Sequence, residues 1–161
     1  MEVAKRWTRE QGEQDITGDE METKTRILVV DDDEAVRVSF LRSLTSDYRK
    51  VETAWNGTDA MRAMERDPFD VVLLDLRMQG ADGMTVLKTI KLKWPDSEVV
   101  IVTGYPTLET AKEAVRLGAY DYLAKPLDPD DVVNAADCAI QHKKRALHKD
   151  RTNQERGSSA S

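Results

Sequence analysis

The sequence predicts an α/β protein in which a five-stranded, mostly parallel, doubly wound sheet carries helices on both faces. Runs of four apolar residues, "ILVV" at 27–30, "VVLL" at 71–74 and "VVIV" at 99–102, read as strands buried on both sides, the pattern of a parallel sheet. Segments of helical period lie between them. Strands and helices alternate five times over, which implies right-handed crossovers.

Taken in order, the strands are expected at 26–31 ("RILVVD"), 50–54 ("KVETA"), 70–76 ("DVVLLDL"), 98–103 ("EVVIVT") and 119–124 ("AYDYLA"). In the first helix Val36, Phe40 and Leu44 recur on one face, and in the second Ala60, Met61 and Met64 do so before "DPF" closes it. A third runs through Met84, Leu87 and Ile90 or Lys91 and stops at Pro95. The fourth opens with Pro106 in its first turn and ends at Gly118. The fifth begins with Asp128 as N-cap and Pro129 at the first helical position.

Residues 1–25 are polar and read as a flexible extension, with Met21 as an alternative start just before the patterned chain. The domain is placed at 26–147 and a basic, polar tail at 148–161, ending in a disordered "RGSSAS". Val133, Ala136, Ile140 and Leu147 extend the last helical stripe, but Lys143 interrupts it, so a coiled coil is poorly supported.

Hydrophobic content of 40% and charged content of 34% suit a soluble globular domain. The apolar runs are too short to span a bilayer, and the N-terminus lacks the apolar stretch of a signal peptide, so the expected location is cytoplasmic, with no membrane contact. The net charge of −6 argues against direct nucleic-acid binding. Beyond Gln141, Lys143, Lys144, Arg145, Lys149, Arg151 and Arg156 outnumber Asp150 and Glu155, which reads as a solvated helical surface that an acidic partner could also touch. The single cysteine, Cys138, is expected to be a small buried or half-buried side chain rather than a redox centre.

Ligands of open parallel sheets bind at the carboxyl ends of the strands, so the groups there matter most. Strand one ends in Asp31 and Asp32, strand three in Asp75, strand four in Thr103, and strand five just before Lys125. Carboxylates crowded in this way repel one another unless a cation joins them. Mg2+ is commonly bound by one or two carboxylates together with water and phosphate oxygens. Asp31 and Asp32 are the candidate holders. Two roles are open to Asp75: a third ligand, or a nucleophile that forms an acyl phosphate. Lys125 can pair with a carboxylate or a phosphoryl oxygen, and Thr103 offers a hydroxyl donor.

In order and spacing, "ILVVDDD", "LLDLRMQGADG", "VVIVTGY" and "AYDYLAKP" resemble the receiver domain of bacterial two-component response regulators over about residues 25–145. The resemblance implies a flavodoxin-like sheet of order 2-1-3-4-5. It makes Asp75 the phosphoacceptor for a histidine kinase or phosphotransfer protein, and Asp31, Asp32, Asp75 and the backbone carbonyl of Arg77 the Mg2+ ligands. Thr103 and Lys125 become the switch hydroxyl and the phosphate-binding lysine, Tyr122 the aromatic switch, and Lys125–Pro126 a cis bond. Arg77 and Tyr105 would flank the path of the hydrolytic water and tune the lifetime toward slow self-dephosphorylation. The output would be a downstream protein or a second copy docked on the face of helix 4, strand 5 and helix 5. Such a chain is a signalling phosphoacceptor rather than an enzyme acting on others.

Gln79 departs from the family, which usually has Pro there; Gly80 still supplies the tight bend. Asp33 falls outside the acidic pair and reads as a helix-start charge. Fifteen to twenty residues remain after the fifth helical pattern, about enough for neither a helix-turn-helix nor an ATPase domain. The chain is thus a stand-alone receiver or one domain of a longer transcription regulator. A receiver that binds partners without phosphorylation would be expected to lack pocket residues, and none is missing. A haloacid-dehalogenase-type phosphatase would want an Asp where Arg77 stands, and would turn over a chromogenic phosphomonoester. A flavin or dinucleotide binder would want a glycine-rich turn where the chain has "DDDEA", and a flavin would show as colour.

Overall fold

Strands buried on both faces need helices on both sides, and the chain supplies them in strict alternation. The computed structural model describes residues 23–158. β1 (Thr25–Val30), β3 (Val71–Leu74) and β4 (Glu98–Thr103) form the centre of one sheet, with β2 (Arg49–Ala54) and β5 (Asp121–Ala124) at its edges. The order is β2-β1-β3-β4-β5 and every pair is parallel, as the resemblance implies.

Alternate residues of the central strands serve two cores. Leu28, Val30, Val72 and Leu74 face α2 (Gly57–Arg66), α3 (Gly83–Lys93) and α4 (Leu108–Arg116), packing with Ala60, Met64, Leu87, Ile90 and Ala114. Ile27, Val29, Val71 and Leu73 face α1 (Glu34–Leu44) and α5 (Pro129–Ser158), packing with Phe40, Leu44, Val132, Ala136 and Ile140. The periodicities anticipated for the helices place the same side chains in these cores, with Val36, Met61 and Met84 at their margins.

Polar side chains start the helices. Asp33, Asn56, Asp82 and Thr107 accept from the backbone N–H groups of Ala35, Asp59, Met84 and Thr110. Asp33 stands at the helix start, as expected, and serves there as the cap, whereas Pro106 lies before the Thr107 cap rather than in the first turn of α4. Gly118, at φ +93°, ends that helix in a Schellman arrangement, with its N–H on Val115 and that of Ala119 on Ala114.

α5 runs for 30 residues, about 45 Å. Residues 148–158, assigned above to a polar tail, continue this helix, because no proline or glycine interrupts it before Gly157. The disorder expected from 156 onward is thus not seen at 156–158; residues 159–161 and 1–22, with the alternative start at Met21, lie outside the described residues. Cys138 is exposed, against expectation, because Ala135, Ala136, Ala139 and Ile140 take the inward positions and turn it to solvent.

After β3 the chain makes a short antiparallel hairpin, Arg77–Met78 with Ala81–Asp82, turned by Gly80 at φ +73°. α3 begins immediately at Gly83, pressed against the end of β3. A methyl group there would stand 2.6 Å from the Asp75 carbonyl oxygen and 2.6 Å from the Leu76 Cα. Since both neighbours are backbone, Gly83→Ala is expected to cost about 1–3 kcal/mol in urea unfolding. A change within about 0.5 kcal/mol would show that the hairpin yields to the extra carbon.

Candidate functional site

Strand register decides what meets at the carboxyl edge. Val30 pairs with Leu74, so the next residues, Asp31 and Asp75, come side by side, and the Asp75 N–H donates to the Val30 carbonyl at 2.9 Å. Thr103 pairs with Ala124, which brings Lys125 to the same edge, its N–H on the Thr103 carbonyl at 2.8 Å. The Lys125 Nζ donates to Asp31 Oδ2 at 2.5 Å and to Asp75 Oδ2 at 3.4 Å. Asp31, Asp75 and Thr103 are only 3%, 6% and 0% exposed, while Asp32 stands in solvent. The Lys125–Pro126 bond is cis.

Carboxylate oxygens of Asp31, Asp32 and Asp75 lie within 4.8 Å of one another. Backbone N–H groups reach all three: Asp33 to Asp31 Oδ1 at 2.9 Å, Arg77 to Asp75 Oδ1 at 3.2 Å, and Gln79 to Asp32 Oδ2 at 3.3 Å. Three carboxylates against one ammonium leave two negative charges uncompensated within the cluster. Hard oxygen donors with that charge fit a small divalent cation such as Mg2+.

Burial pushes the Asp75 carboxyl above its ordinary value; the Lys125 ammonium and the Arg77 N–H pull it down, and Asp31 pushes it further up, so the net direction is upward. Burial acts on Lys125 in the opposite sense, toward the neutral amine. Its hydrogen bond and attraction to Asp31, then to Asp75, prevail and raise it, keeping it an ammonium.

The remaining expected residues form a rim. Thr103 Oγ1 accepts from the Tyr105 N–H at 3.1 Å. The Arg77 guanidinium lies 4.2 Å from the centre of the Tyr105 ring, so the two stack with each other. Tyr122 stands apart: its half-buried ring packs beside the α2–α4 core, and its hydroxyl is 2.6 Å from Thr110 Oγ1 and accepts from the Thr107 N–H at 3.3 Å. It is therefore tied to the start of α4 rather than to the carboxylates.

Sequence reasoning missed Arg37, whose guanidinium donates to the Asp31 carbonyl at 2.8 Å, and Gly83, whose missing side chain lets α3 close on Asp75. An arginine one turn into the helix after "DDD", and a glycine directly after the Asp82 cap, were the available signals.

The family model of the response regulator receiver domain matches residues 27–137. The DNA-binding transcriptional regulator NtrC of Klebsiella pneumoniae is 40% identical over 114 residues, which cover 71% of this chain and 24% of that protein. The crystal structure of NtrX from Brucella abortus in complex with ADP superposes with a TM-score of 0.74 at 32% identity, over 80% of this chain and 30% of that one. A CheY-like receiver domain protein from Methanospirillum hungatei gives a TM-score of 0.74 at 27% identity, over 77% and 99%. The chain spans about a quarter of the length of the curated relatives it matches.

Because its carboxyl is raised, folded Asp75 binds a proton more tightly than the unfolded chain does. The corresponding stability is present below the ordinary carboxylate range. It falls as pH rises through that range and is gone above the raised value. Asp75→Asn removes the charge and keeps the shape, so in EDTA at pH 7 it is expected to raise the thermal midpoint by about 2–6 °C. The gain should vanish in acid; an unchanged midpoint at pH 7 would mean that the Lys125 contact outweighs burial.

Proposed function

The chain belongs to the response regulator receiver domains, and from that membership we propose that it takes a phosphoryl group onto Asp75 and passes the change to a partner-binding face. The relatives are regulators of the NtrC and NtrX type, and the resemblance to two-component receivers implies a histidine-kinase partner. The donor is accordingly read as the phosphohistidine of a kinase or phosphotransfer protein. The observation that carries the reading is Lys125 bridging Asp31 and Asp75 at the one edge where strand ends converge.

In the transfer, an Oδ lone pair of Asp75 forms the O–P bond as the P–N bond to the donor breaks, and that electron pair stays on the imidazole nitrogen. A Mg2+ ion held by Asp31, Asp32, Asp75 and the Arg77 carbonyl would supply positive charge against the transferring group. Lys125 moves from Asp75 to a phosphoryl oxygen. Thr103 turns its hydroxyl proton to another, since its oxygen already accepts from Tyr105. In the return reaction, water attacks phosphorus and the O–P bond breaks with its electron pair going back to Asp75. The donor approaches over the mouth, where Ala35, Val36, Phe40, Pro126 and Leu127 line an apolar groove of about 440 Å³ next to Lys125.

Acquiring close to two negative charges draws Thr103 toward the phosphoryl group, and Tyr122 then leaves Thr110 and Thr107 for the vacated space. Those contacts tie it to the start of α4, so their loss alters the face of α4, β5 and α5, where Leu108 and Val115 are already exposed. A downstream protein or a second copy would dock there.

Intact mass after incubation with Mg2+ and acetyl phosphate tests the phosphoacceptor: the parent should gain one phosphoryl group, about 80 Da, and Asp75→Asn none. A gain in both would mean a different nucleophile. With Arg77 and Tyr105 stacked on each other and read as flanking the approach of water, the acyl phosphate should decay slowly, and Arg77→Ala or Tyr105→Ala should shorten its half-life severalfold. A half-life of seconds that neither change shortens would assign the rim no part in the decay.

A further inference from the structure

The hairpin after Asp75 contains a hydrogen bond that depends on one unusual choice of residue. Met78 pairs with Ala81 across Gln79 and Gly80, and of these two only Gly80 has a positive φ. A turn with its second central residue left-handed and its first in ordinary conformation is of type II, in which proline is well suited to the first central position. Here that position is Gln79, and its N–H donates to Asp32 Oδ2 at 3.3 Å. Proline would accommodate the same turn but has no N–H to give.

Asp32 depends on this contact more than its neighbours depend on theirs. Asp31 and Asp75 are buried, share the Lys125 ammonium, and each accepts from a backbone N–H two residues ahead. Asp32 is exposed and, among the described residues, its carboxylate has a hydrogen bond only from Gln79, 47 residues away. An exposed carboxylate without that tie would rotate freely and would lose that freedom on binding an ion. A single N–H takes one oxygen, leaves the other for a cation, and cancels none of the charge.

We propose that the Gln79 backbone N–H is a positioning contact for the divalent cation of the carboxylate cluster: by holding Asp32 in one orientation it makes cation affinity depend on a residue other than proline in this turn. The inference rests on the reading of Asp31, Asp32 and Asp75 as a Mg2+ site. Gln79 touches the ion through no atom of its own side chain, so what matters is the amide and not the glutamine.

Calorimetric titration of Mg2+ into the parent, Gln79→Ala and Gln79→Pro separates the possibilities. The alanine variant keeps the N–H and should bind within about twofold of the parent, while the proline variant should bind about three- to tenfold more weakly. Equal affinity in the proline variant, or an equal loss in both, would overturn the positioning role and leave the cation site intact. A parent that binds no Mg2+ would instead overturn the cation site, and this inference with it. Amide exchange gives a second readout that does not require the proline variant to fold. The Gln79 amide should exchange faster in Asp32→Ala than in the parent, and in the parent it should slow when Mg2+ saturates the site. Faster exchange with Mg2+ would show that the ion draws Asp32 away from the amide, which is the opposite of the role proposed.

Discussion

Everything at the carboxyl edge depends on one ammonium lodged against two buried carboxylates. Asp31 and Asp75 are brought together by the β1–β3 register and hidden from water by the strands that carry them, an arrangement that would be costly with both ionised and nothing between them. Lys125 relieves it from a distance of 94 and 50 residues in sequence. That requires β4 and β5 to follow β3 in order across the sheet, so the topology and the electrostatics of the site form a single constraint. Relief is incomplete: burial still leaves Asp75 raised, and Asp32 adds a charge that Lys125 does not reach.

The parts of this design legible in the sequence were those that follow from strand ends. Once "ILVV", "VVLL" and "VVIV" are read as parallel strands, Asp31, Asp75 and Thr103 must sit at one edge, and Lys125 joins them by following the fifth strand. The parts not legible were contacts made by backbone across the fold. Gly83 matters for a close approach to the Asp75 carbonyl, Arg37 for a bond to a carbonyl, and Gln79 for an amide rather than for its side chain. None of these leaves a mark in hydropathy; only the places of Arg37 after "DDD" and of Gly83 after the Asp82 cap hinted at them. Lys143 shows a related difficulty: it reads as a break in the apolar stripe of α5, yet it is largely buried because it bonds Asp70 at 2.6 Å.

The rim links the site to the surface by short steps. Thr103 is fully buried and engaged by the Tyr105 amide, Tyr105 carries the Arg77 guanidinium on its ring, and Tyr122, in the strand next to Thr103, holds the first turn of α4. A small displacement of one hydroxyl therefore has few ways to be absorbed locally, because the strand beneath it is close-packed on both faces. The helix start at the far end of that chain of contacts is secured by a hydroxyl pair and the Thr107 cap.

The opposite edge of the sheet shows what the same chemistry looks like when it is structural. There the Glu98 carboxylate, 7% exposed, meets His142 Nδ1 at 3.1 Å, and the His142 ring lies beside Tyr120. Asp70 accepts from the Arg26 N–H at 2.8 Å and from Lys143. Each carboxylate has its own partner on α5, and together they clamp the helix to the sheet just beyond its last buried apolar residue, Ile140. At the carboxyl edge two of three carboxylates share one ammonium, and the third, Asp32, is left without one. Carboxylates that each have a hydrogen-bond partner of their own hold a helix in place; a cluster left with two charges in excess needs something from outside. That inequality between the two edges, more than the presence of acidic residues at either, is what supports placing the proposed cation and phosphoryl group here.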